Sequence, residues 1–481
     1  MDVSIESILR ELKKHGVSRE KVLEVYNAYT IAERIHAGVT RQSGEPYITH
    51  PLNVAMNVLK MEVYDPDTIS AALLHDTIED AHFDYEKEHI AISINPTVAE
   101  LVDGVTKMKN MEFTNKDEKQ AANIRKIVNG MTKDIRIIVI KLADRLHNMS
   151  TIEWKSPQKQ KENAAETLEL FVPLAIKIGA YQVKNQLEEL SFKYLYPEAY
   201  KEISERRQLI EEQQRPKLEN IASKIQEELN RKGIKNEIVF RTKSINNIYK
   251  EIVYEHKKIE NIFDLCYFKV LVDTDDECYI SLGVVNKLNT PVNERMKDYI
   301  GNPRGFYEAL HDIILGSDGQ FYKIKITTFE RDKRNKFGLI ADLNNGRTME
   351  DIQKEFKEKW FDMKLQKIDG TFPDDREFVK TIKKELLGDE IYVYGTKGGI
   401  TIPKGATAFA FVCEFLTPDE LNNLTSIIVN DKEVEFDQLL KNNDTVQAIC
   451  KGKIKDIDLT TSATTEKAKL MVKKMNNKDT E

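Results

Sequence analysis

Cysteine is scarce in this chain: the four in 481 residues, Cys266, Cys278, Cys413 and Cys450, include no CxxC pair. Their scatter excludes a disulfide framework and a thiolate zinc site, and it suits a reducing compartment. Long apolar runs are missing too. No stretch approaches the ~20 residues that cross a bilayer, and the N-terminal MDVSIESILRELKKHG reads as an amphipathic helix without a signal-peptide core. A cytoplasmic protein with no membrane partner is expected. No long run of one charge sign occurs, and 72 Lys+Arg against 79 Asp+Glu leave a net charge of −7. Direct DNA binding is therefore not expected, and any anionic ligand needs a locally built site. There is no internal repeat.

What is present falls into blocks, as a length beyond the ~250 residues of a single large core requires. Residues 1–195 carry apolar positions at helical spacing, with Gly and Pro mostly between segments, and predict an all-α domain. Residues 196–345 open with a long charged helical stretch and then alternate helices with strands, at EIVFR near 237, FKVLVD near 268 and QFYKIKIT near 320. Helical patterns over 349–366 and 373–387 make residues 346–388 a connector. Residues 389–455 form a small, turn-rich, β-like block, and residues 456–481 read as a polar tail, helical at most in part.

Seven of the nine histidines lie within the first 147 residues. In Ser70-Ala-Ala-Leu-Leu-His-Asp-Thr-Ile-Glu-Asp80 an apolar helix runs into four ionisable groups, with His75 and Glu79, and Asp76 and Asp80, at i,i+4 if the helix continues. A solvated helix end is the plain alternative. Asp144 sits in a helix that is apolar almost all round, where an unpartnered carboxylate costs several kcal/mol. Its partner is either a metal or strong donors, or a salt bridge to Arg145 or Arg125. Lys141, Asp144, Asn148 and Thr151 recur every three or four residues as one polar stripe. Between two helices, a Gly- and Pro-containing loop carries Arg41, Ser43 and Tyr47 and ends at His50, a helix-start position. His50, His75, Asp76 and Asp144 together make a two-histidine, two-carboxylate set suited to an octahedral Mn²⁺-type ion.

The segments HAGVTRQSGEPYITHP, AALLHDTIED, VAELVDGVTKM and IKLADRLHNMST closely resemble the HD-domain hydrolase half of RelA/SpoT-homologue enzymes. That resemblance implies removal of the 3′-pyrophosphate from (p)ppGpp, with metal ligands His50, His75, Asp76 and Asp144 and catalytic residues Glu79 and Asp80. It implies substrate contacts from Arg41, Ser43, Asn148 and Thr151; Gln42 stands where relatives often have Lys. Arg41, planar and permanently charged, can stack on a guanine or grip a phosphate. Two other readings compete: an HD phosphohydrolase for another nucleotide, and a non-catalytic nucleotide sensor.

Residues 236–342 resemble the synthetase half of the same family, a mixed α/β nucleotidyltransferase-like fold. Arg241-Thr-Lys243, Asp264, KDYIGNP at 297–303, Tyr307 and His311 match. The family's Glu-x-Gln-x-Arg strand is replaced by Lys323-Ile-Lys325-Ile-Thr327, which puts ammonium groups on the strand face where a magnesium-binding carboxylate belongs. Tyr267, Lys269 and Asn246-Asn247 are further departures, and one residue is missing near Gly305. The resemblance implies a pseudo-synthetase that serves as a scaffold, or that keeps a nucleotide through Lys323 and Lys325 by charge alone. Residues 389–452 resemble the TGS domain, a β-grasp module, with Leu416 where the family presents a tRNA-contacting His. Ribosome- or tRNA-linked activation is not expected, and the sequence is compatible with an oligomer.

Overall fold

Helical spacing becomes buried stripes in the N-terminal helices. Ile5, Ile8 and Leu12 of α1 (Ile5–Lys14) and Val22, Val25, Ala28, Ala32 and Ile35 of α2 (Arg19–Ile35) are buried, and the hydroxyls of Ser4 and Ser18 cap both helices. α3 spans Thr49–Lys60. α4 (Pro66–Leu74) starts with Pro at N1 behind an Asp65 cap, and every residue from Thr68 to Leu74 is buried. It is the central helix. In this computed structural model it packs on α2, α3, α7 (Pro96–Thr106) and α8 (Ile135–Ser150), with the short α5 (Thr77–Asp80) and α6 (Lys87–Ser93) between. Each large apolar side chain buried there, Ile69, Leu73 or Leu74, contributes roughly 1.5–3 kcal/mol.

The structure describes residues 3–81, 85–106, 134–254, 256–292, 295–303, 306–344, 347–360, 390–395, 398–441, 444–452, 459–465, 467–469, 471–472 and 475. Arg125, the 373–387 helix and the end of the 349–366 helix lie outside them. The chain forms two compact units, residues 1–360 and 361–481.

In the first unit, α9 (Pro157–Glu166), α10 (Val172–Lys177) and α11 (Tyr181–Leu195) lead into α12 (Pro197–Arg231), the long charged helix. A six-stranded sheet follows, in the order β1 (Glu237–Thr242), β2 (Cys266–Val272), β6 (Phe321–Thr328), β5 (Leu310–Leu315) and β3 (Thr290–Pro291), with β4 (Lys297–Asp298) also on β5. β2 and β6 are parallel; their neighbours are antiparallel. Phe268, Val270, Ile324, Ile326, Leu310 and Ile314 form one apolar face, in a core shared with α12, α13 (Ile245–Tyr254) and α14 (Asp275–Leu288). Alternation sends Tyr267, Lys269, Lys323, Lys325 and His311 to the other face.

The helical layer is tied to the sheet layer at α11. Buried Glu188 is held by Lys184 at 2.7 Å and by Lys250 of α13 at 3.0 Å. After α15 (Phe329–Phe337), Gly338 takes φ +56°, and a Cβ there would lie 1.9 Å from the Ile178 carbonyl oxygen, so only glycine permits this approach. The next residue seals it: Leu339 N–H donates to that oxygen at 2.9 Å. α16 (Met349–Trp360) ends the unit.

The second unit has a five-stranded sheet ordered β10 (Lys432–Val434), β9 (Leu424–Val429), β11 (Thr445–Cys450), β7 (Glu390–Gly395) and β8 (Gly398–Pro403). Only β11 and β7 run parallel, and α17 (Ala408–Val412) buries Phe409 and Phe411 beneath them. This order, two hairpins flanking the central strand β11, which runs parallel to β7, is the β-grasp arrangement. The expected polar tail differs. Its described residues Leu459, Ala463, Ala468, Met471, Val472 and Met475 are buried in this unit's core, while Thr460, Thr461 and Lys469 are exposed.

Candidate metal centre

Three segments build the site. Thr40 bridges Pro46, Arg41 N–H donates to the Glu45 carbonyl and Gly44, at φ +85°, turns the loop between them. His50 N–H then donates to the Tyr47 carbonyl at 2.8 Å, which delivers His50 to the first turn of α3. The second segment corrects the sequence reading. The helix does not continue through His75: α4 ends at Leu74, His75 and Asp76 form a turn, and Asp76 is the N-cap of α5. His75 is thus turned into the interior beside Asp76 rather than stacked one turn below Glu79. The third segment is α8, started by Asp134 and carrying Asp144, His147, Asn148 and, just past its end, Thr151.

These segments bring His50, His75 and Asp76 together as a group able to hold a metal ion, all three buried. His50 Nε2 lies 3.4 Å from Asp76 Oδ2 and 3.3 Å from Asp144 Oδ1; His75 Nε2 lies 3.2 and 3.9 Å from the same oxygens. His75 Nδ1 sits 2.8 Å from the Ala72 carbonyl, which only accepts, so that nitrogen carries the proton and Nε2 presents a lone pair. Nε2 is buried without a hydrogen-bond partner. Two imidazole nitrogens and two carboxylates converging in the interior are the donor set of a divalent cation, and the residues fit one.

The electrostatics agree. Burial alone would raise the Asp144 carboxyl, but the His50 hydrogen bond and the Lys141 and imidazole charges hold it well below the usual carboxylate range. Burial lowers the His50 imidazole, and Asp144 and Asp76 outweigh it, leaving the pKa raised. Arg145 is not the partner of Asp144: it pairs with Glu166 at 2.9 Å and stacks on Phe171.

Around this core, Tyr47 Oη donates to Asp76 Oδ2 at 2.8 Å and Asn148 Nδ2 to Asp144 Oδ1 at 2.6 Å. Asn148 thus orients a carboxylate here. Arg41 reaches over to His147 Nδ1 at 3.0 Å and to Thr151 Oγ1 at 3.4 Å. Ser43 stays on the loop, where its hydroxyl donates to Glu45 Oε2 at 3.4 Å. Glu79 and Asp80 lie on α5 directly after Asp76, with Asp80 Oδ2 3.9 Å from His36 Nδ1. His36, His147 and the role of Tyr47 were missed by sequence reasoning. His147 is buried and 2.7 Å from His50, nitrogen to nitrogen, and burial with the His50 and Arg41 charges lowers its pKa to about 3. Its position three residues after Asp144 on the polar stripe was the available signal.

Residues 28–181 match the family described as HD domain, and residues 240–348 match the region found in RelA/SpoT proteins. A Vibrio cholerae protein named guanosine-3′,5′-bis(diphosphate) 3′-pyrophosphohydrolase is 35% identical over 449 residues, covering 92% of this chain and 63% of its own length. The Escherichia coli K12 protein named bifunctional (p)ppGpp synthase/hydrolase SpoT is 36% identical over 410 residues, covering 84% and 57%. The chain carries an HD domain followed by the region found in RelA/SpoT proteins. It spans about three-fifths of the length of these two relatives. Among solved structures, small alarmone synthetase 1 from Bacillus subtilis, bound to its product pppGpp, aligns at 15% identity and a TM-score of 0.24, covering 34% of this chain and 97% of that one.

Within the region that matches RelA/SpoT proteins, Asp264 is held by two ammonium groups, Lys243 and Lys323, the latter at 3.0 Å. Burial pushes the Asp264 carboxyl up, and the two lysines pull it below the ordinary value. Tyr307 Oη lies 2.6 Å from His311 Nε2, and Lys269 pairs with Asp332 at 2.7 Å.

Proposed function

We propose that the first region hydrolyses the 3′-pyrophosphate of (p)ppGpp to GDP or GTP and pyrophosphate with a bound Mn²⁺, and that the second region no longer makes (p)ppGpp. The convergence of His50, His75, Asp76 and Asp144, with Glu79 and Asp80 next in sequence, carries this reading. A divalent ion in that set supplies positive charge to phosphate oxygens and acidifies water. The other tasks fall to this chain's own side chains. Water adds to the phosphorus bonded to the 3′ oxygen, the P–O3′ bond breaks, and the water's proton ends on O3′. In this reading Glu79 and Asp80 take and return that proton. Tyr47 and Asn148 hold Asp76 and Asp144 in place. Arg41, Thr151 and His147 form the group that receives the guanosine or a phosphate.

Loss of synthesis follows from Lys323. Pyrophosphate transfer to a 3′ hydroxyl needs a carboxylate to gather metal charge and accept a proton, and an ammonium ion paired with Asp264 does neither. Residues 389–455 we assign to a TGS module, supported by the β-grasp strand order.

The decisive experiment incubates purified chain with ppGpp and Mn²⁺ and separates the products. GDP and pyrophosphate are expected, with no turnover after metal stripping in excess chelator. Full activity in chelator, or release of single phosphates, sinks the proposal.

A further inference from the structure

His36 is a buried titratable side chain to which the proposed reaction gives no task. It caps the C-terminal end of α2, where its N–H donates to the Ala32 carbonyl at 3.0 Å and its own carbonyl accepts from Val39 N–H at 3.1 Å. Gly38, at φ +78°, lets the chain turn away behind it. The backbone is thus satisfied, and the side chain is only 1% exposed. The Tyr47 ring lies against it, with centroids 4.6 Å apart. Both ring nitrogens are buried, and among the described residues neither has a hydrogen-bond partner.

A neutral imidazole carries one N–H to donate and one nitrogen that can accept. Folding seldom leaves such a donor buried and unmade, because its desolvation then goes uncompensated. The group able to answer it is Asp80. Its Oδ2 lies 3.9 Å from His36 Nδ1, about 1 Å beyond hydrogen-bond length. Asp80 closes α5, a helix of four residues, and its side chain is 36% exposed, so the carboxylate has room to move by that amount. Tyr47 does not serve Asp80 in the same way. Its single hydroxyl proton goes to Asp76 Oδ2 at 2.8 Å, and burial together with the Asp76 and Asp80 charges holds that proton on the phenol. Burial also lowers the His36 pKa, against the pull of Asp80 and Asp76, which leaves a neutral ring with a proton to donate.

We propose that His36 is a positioning residue for Asp80: its Nδ1–H holds one carboxylate oxygen and leaves the other for the proton that the reaction moves. This rests on the reading that Asp80 handles that proton. The pair is dry at one end and wet at the other, so substrate reaches Asp80 without reaching His36. Hydrogen bonds of this kind are often long before substrate arrives and tighten when it does, and the 3.9 Å gap fits that behaviour. A neutral donor also fixes the carboxylate without cancelling its charge, so Asp80 still accepts a proton. Lysine or arginine in place of His36 would pair with it as an ion and weaken that ability.

The test combines kinetics on the full chain, with ppGpp and Mn²⁺, and proton–nitrogen NMR of the metal-free chain labelled at histidine. Asparagine puts its amide nitrogen near the place of Nδ1, glutamine nearer that of Nε2, and leucine has no donor. His36→Leu and His36→Gln are expected to lower kcat about 10–100-fold, as a misplacement of ~1 Å does, with KM and Mn²⁺ affinity within a few-fold. His36→Asn is expected to recover most of that loss. In the NMR arm the His36 ring, recognised by its absence from His36→Asn, carries its proton on Nδ1, and the signal moves when Asp80→Ala removes the acceptor. Asp80 is partly exposed, so its variant tests the pairing even if the His36 variants misfold. The proposal is overturned if folded His36→Leu turns over like the unaltered chain, if His36→Asn and His36→Gln are equally impaired, or if Asp80→Ala leaves the Nδ1 proton unmoved. An unaltered chain without turnover defeats the reading of the reaction instead, and the NMR signal then decides the pairing by itself.

Discussion

His147 is expected to set the metal affinity of the first region without being a ligand itself. If His50 gives its Nε2 lone pair to a cation, its proton must sit on Nδ1, and that proton must be donated to His147 Nδ1, 2.7 Å away. With a pKa of about 3, His147 remains neutral and able to accept at any ordinary pH. His147→Phe keeps a flat ring and removes the acceptor. The buried Nδ1–H of His50 then goes unpaired, at about 1–3 kcal/mol, and supporting partners of this kind are worth roughly 10–100-fold in metal affinity. Tenfold equals about 1.4 kcal/mol, so the two figures agree. The assay is Mn²⁺ titration of metal-stripped protein by calorimetry, with circular dichroism confirming the fold. His147→Asn, which restores an acceptor oxygen, should recover part of the loss. An unchanged Mn²⁺ affinity in folded His147→Phe would refute the reasoning.

Asp76→Asn should abolish turnover and weaken Mn²⁺ binding, whereas Glu79→Gln should abolish turnover with the metal retained; equal metal loss in both overturns the division between ligands and proton carriers. Arg41→Ala should lower kcat/KM for ppGpp about tenfold or more while Mn²⁺ affinity stays within a few-fold, as expected for loss of one charged contact; unchanged kinetics remove Arg41 from the site. Lys325, with a pKa lowered from 10.5 to about 7, gives a pH signature. Between those values the unfolded chain binds the proton and the folded chain does not, so stability rises with pH across that window. Lys325→Met should therefore be the more stable form at pH 6.5 in phosphate-free buffer, with its advantage shrinking towards pH 10; a constant gap between the two melting curves contradicts the depressed pKa.

The grouping of His50, His75, Asp76 and Asp144 was legible because each residue sits in a local motif: His50 beside Pro51, His75 with Asp76, and Asp144 in an apolar helix that could not leave it unpartnered. The break after Leu74 was not legible, since i,i+4 spacing runs unbroken through Glu79 and Asp80 and only the fold shows Asp76 capping a new helix. His147 was hidden for another reason. Its partner His50 is 97 residues away, and its role depends on which ring nitrogen faces which. In the tail, Met471, Val472 and Met475 had helical apolar spacing, but the surrounding Lys and Asn outweighed it in a composition-based reading. The period-2 alternation of Lys323 and Lys325 is local and was readable; the parallel register that sets Tyr267 against Lys323 is not.

The absence of synthesis is the prediction that ties the second region together. An Asp76→Asn chain cannot destroy product, so any (p)ppGpp formed from ATP and GDP or GTP would accumulate and be seen as radiolabel above a no-enzyme control. None is expected. Lys323→Glu should not restore it, because the repaired carboxylate would face Asp264 with only Lys243 between them, while Lys325 and Lys269 still project from the same face and Tyr267 still fills the next strand position. Two carboxylates so placed could attract a divalent ion, but the flanking lysines oppose it by direct repulsion. Product from the Asp76→Asn chain would refute the loss of synthesis outright. Product only after Lys323→Glu would show that one ammonium group, and not the whole lysine face, blocks the reaction.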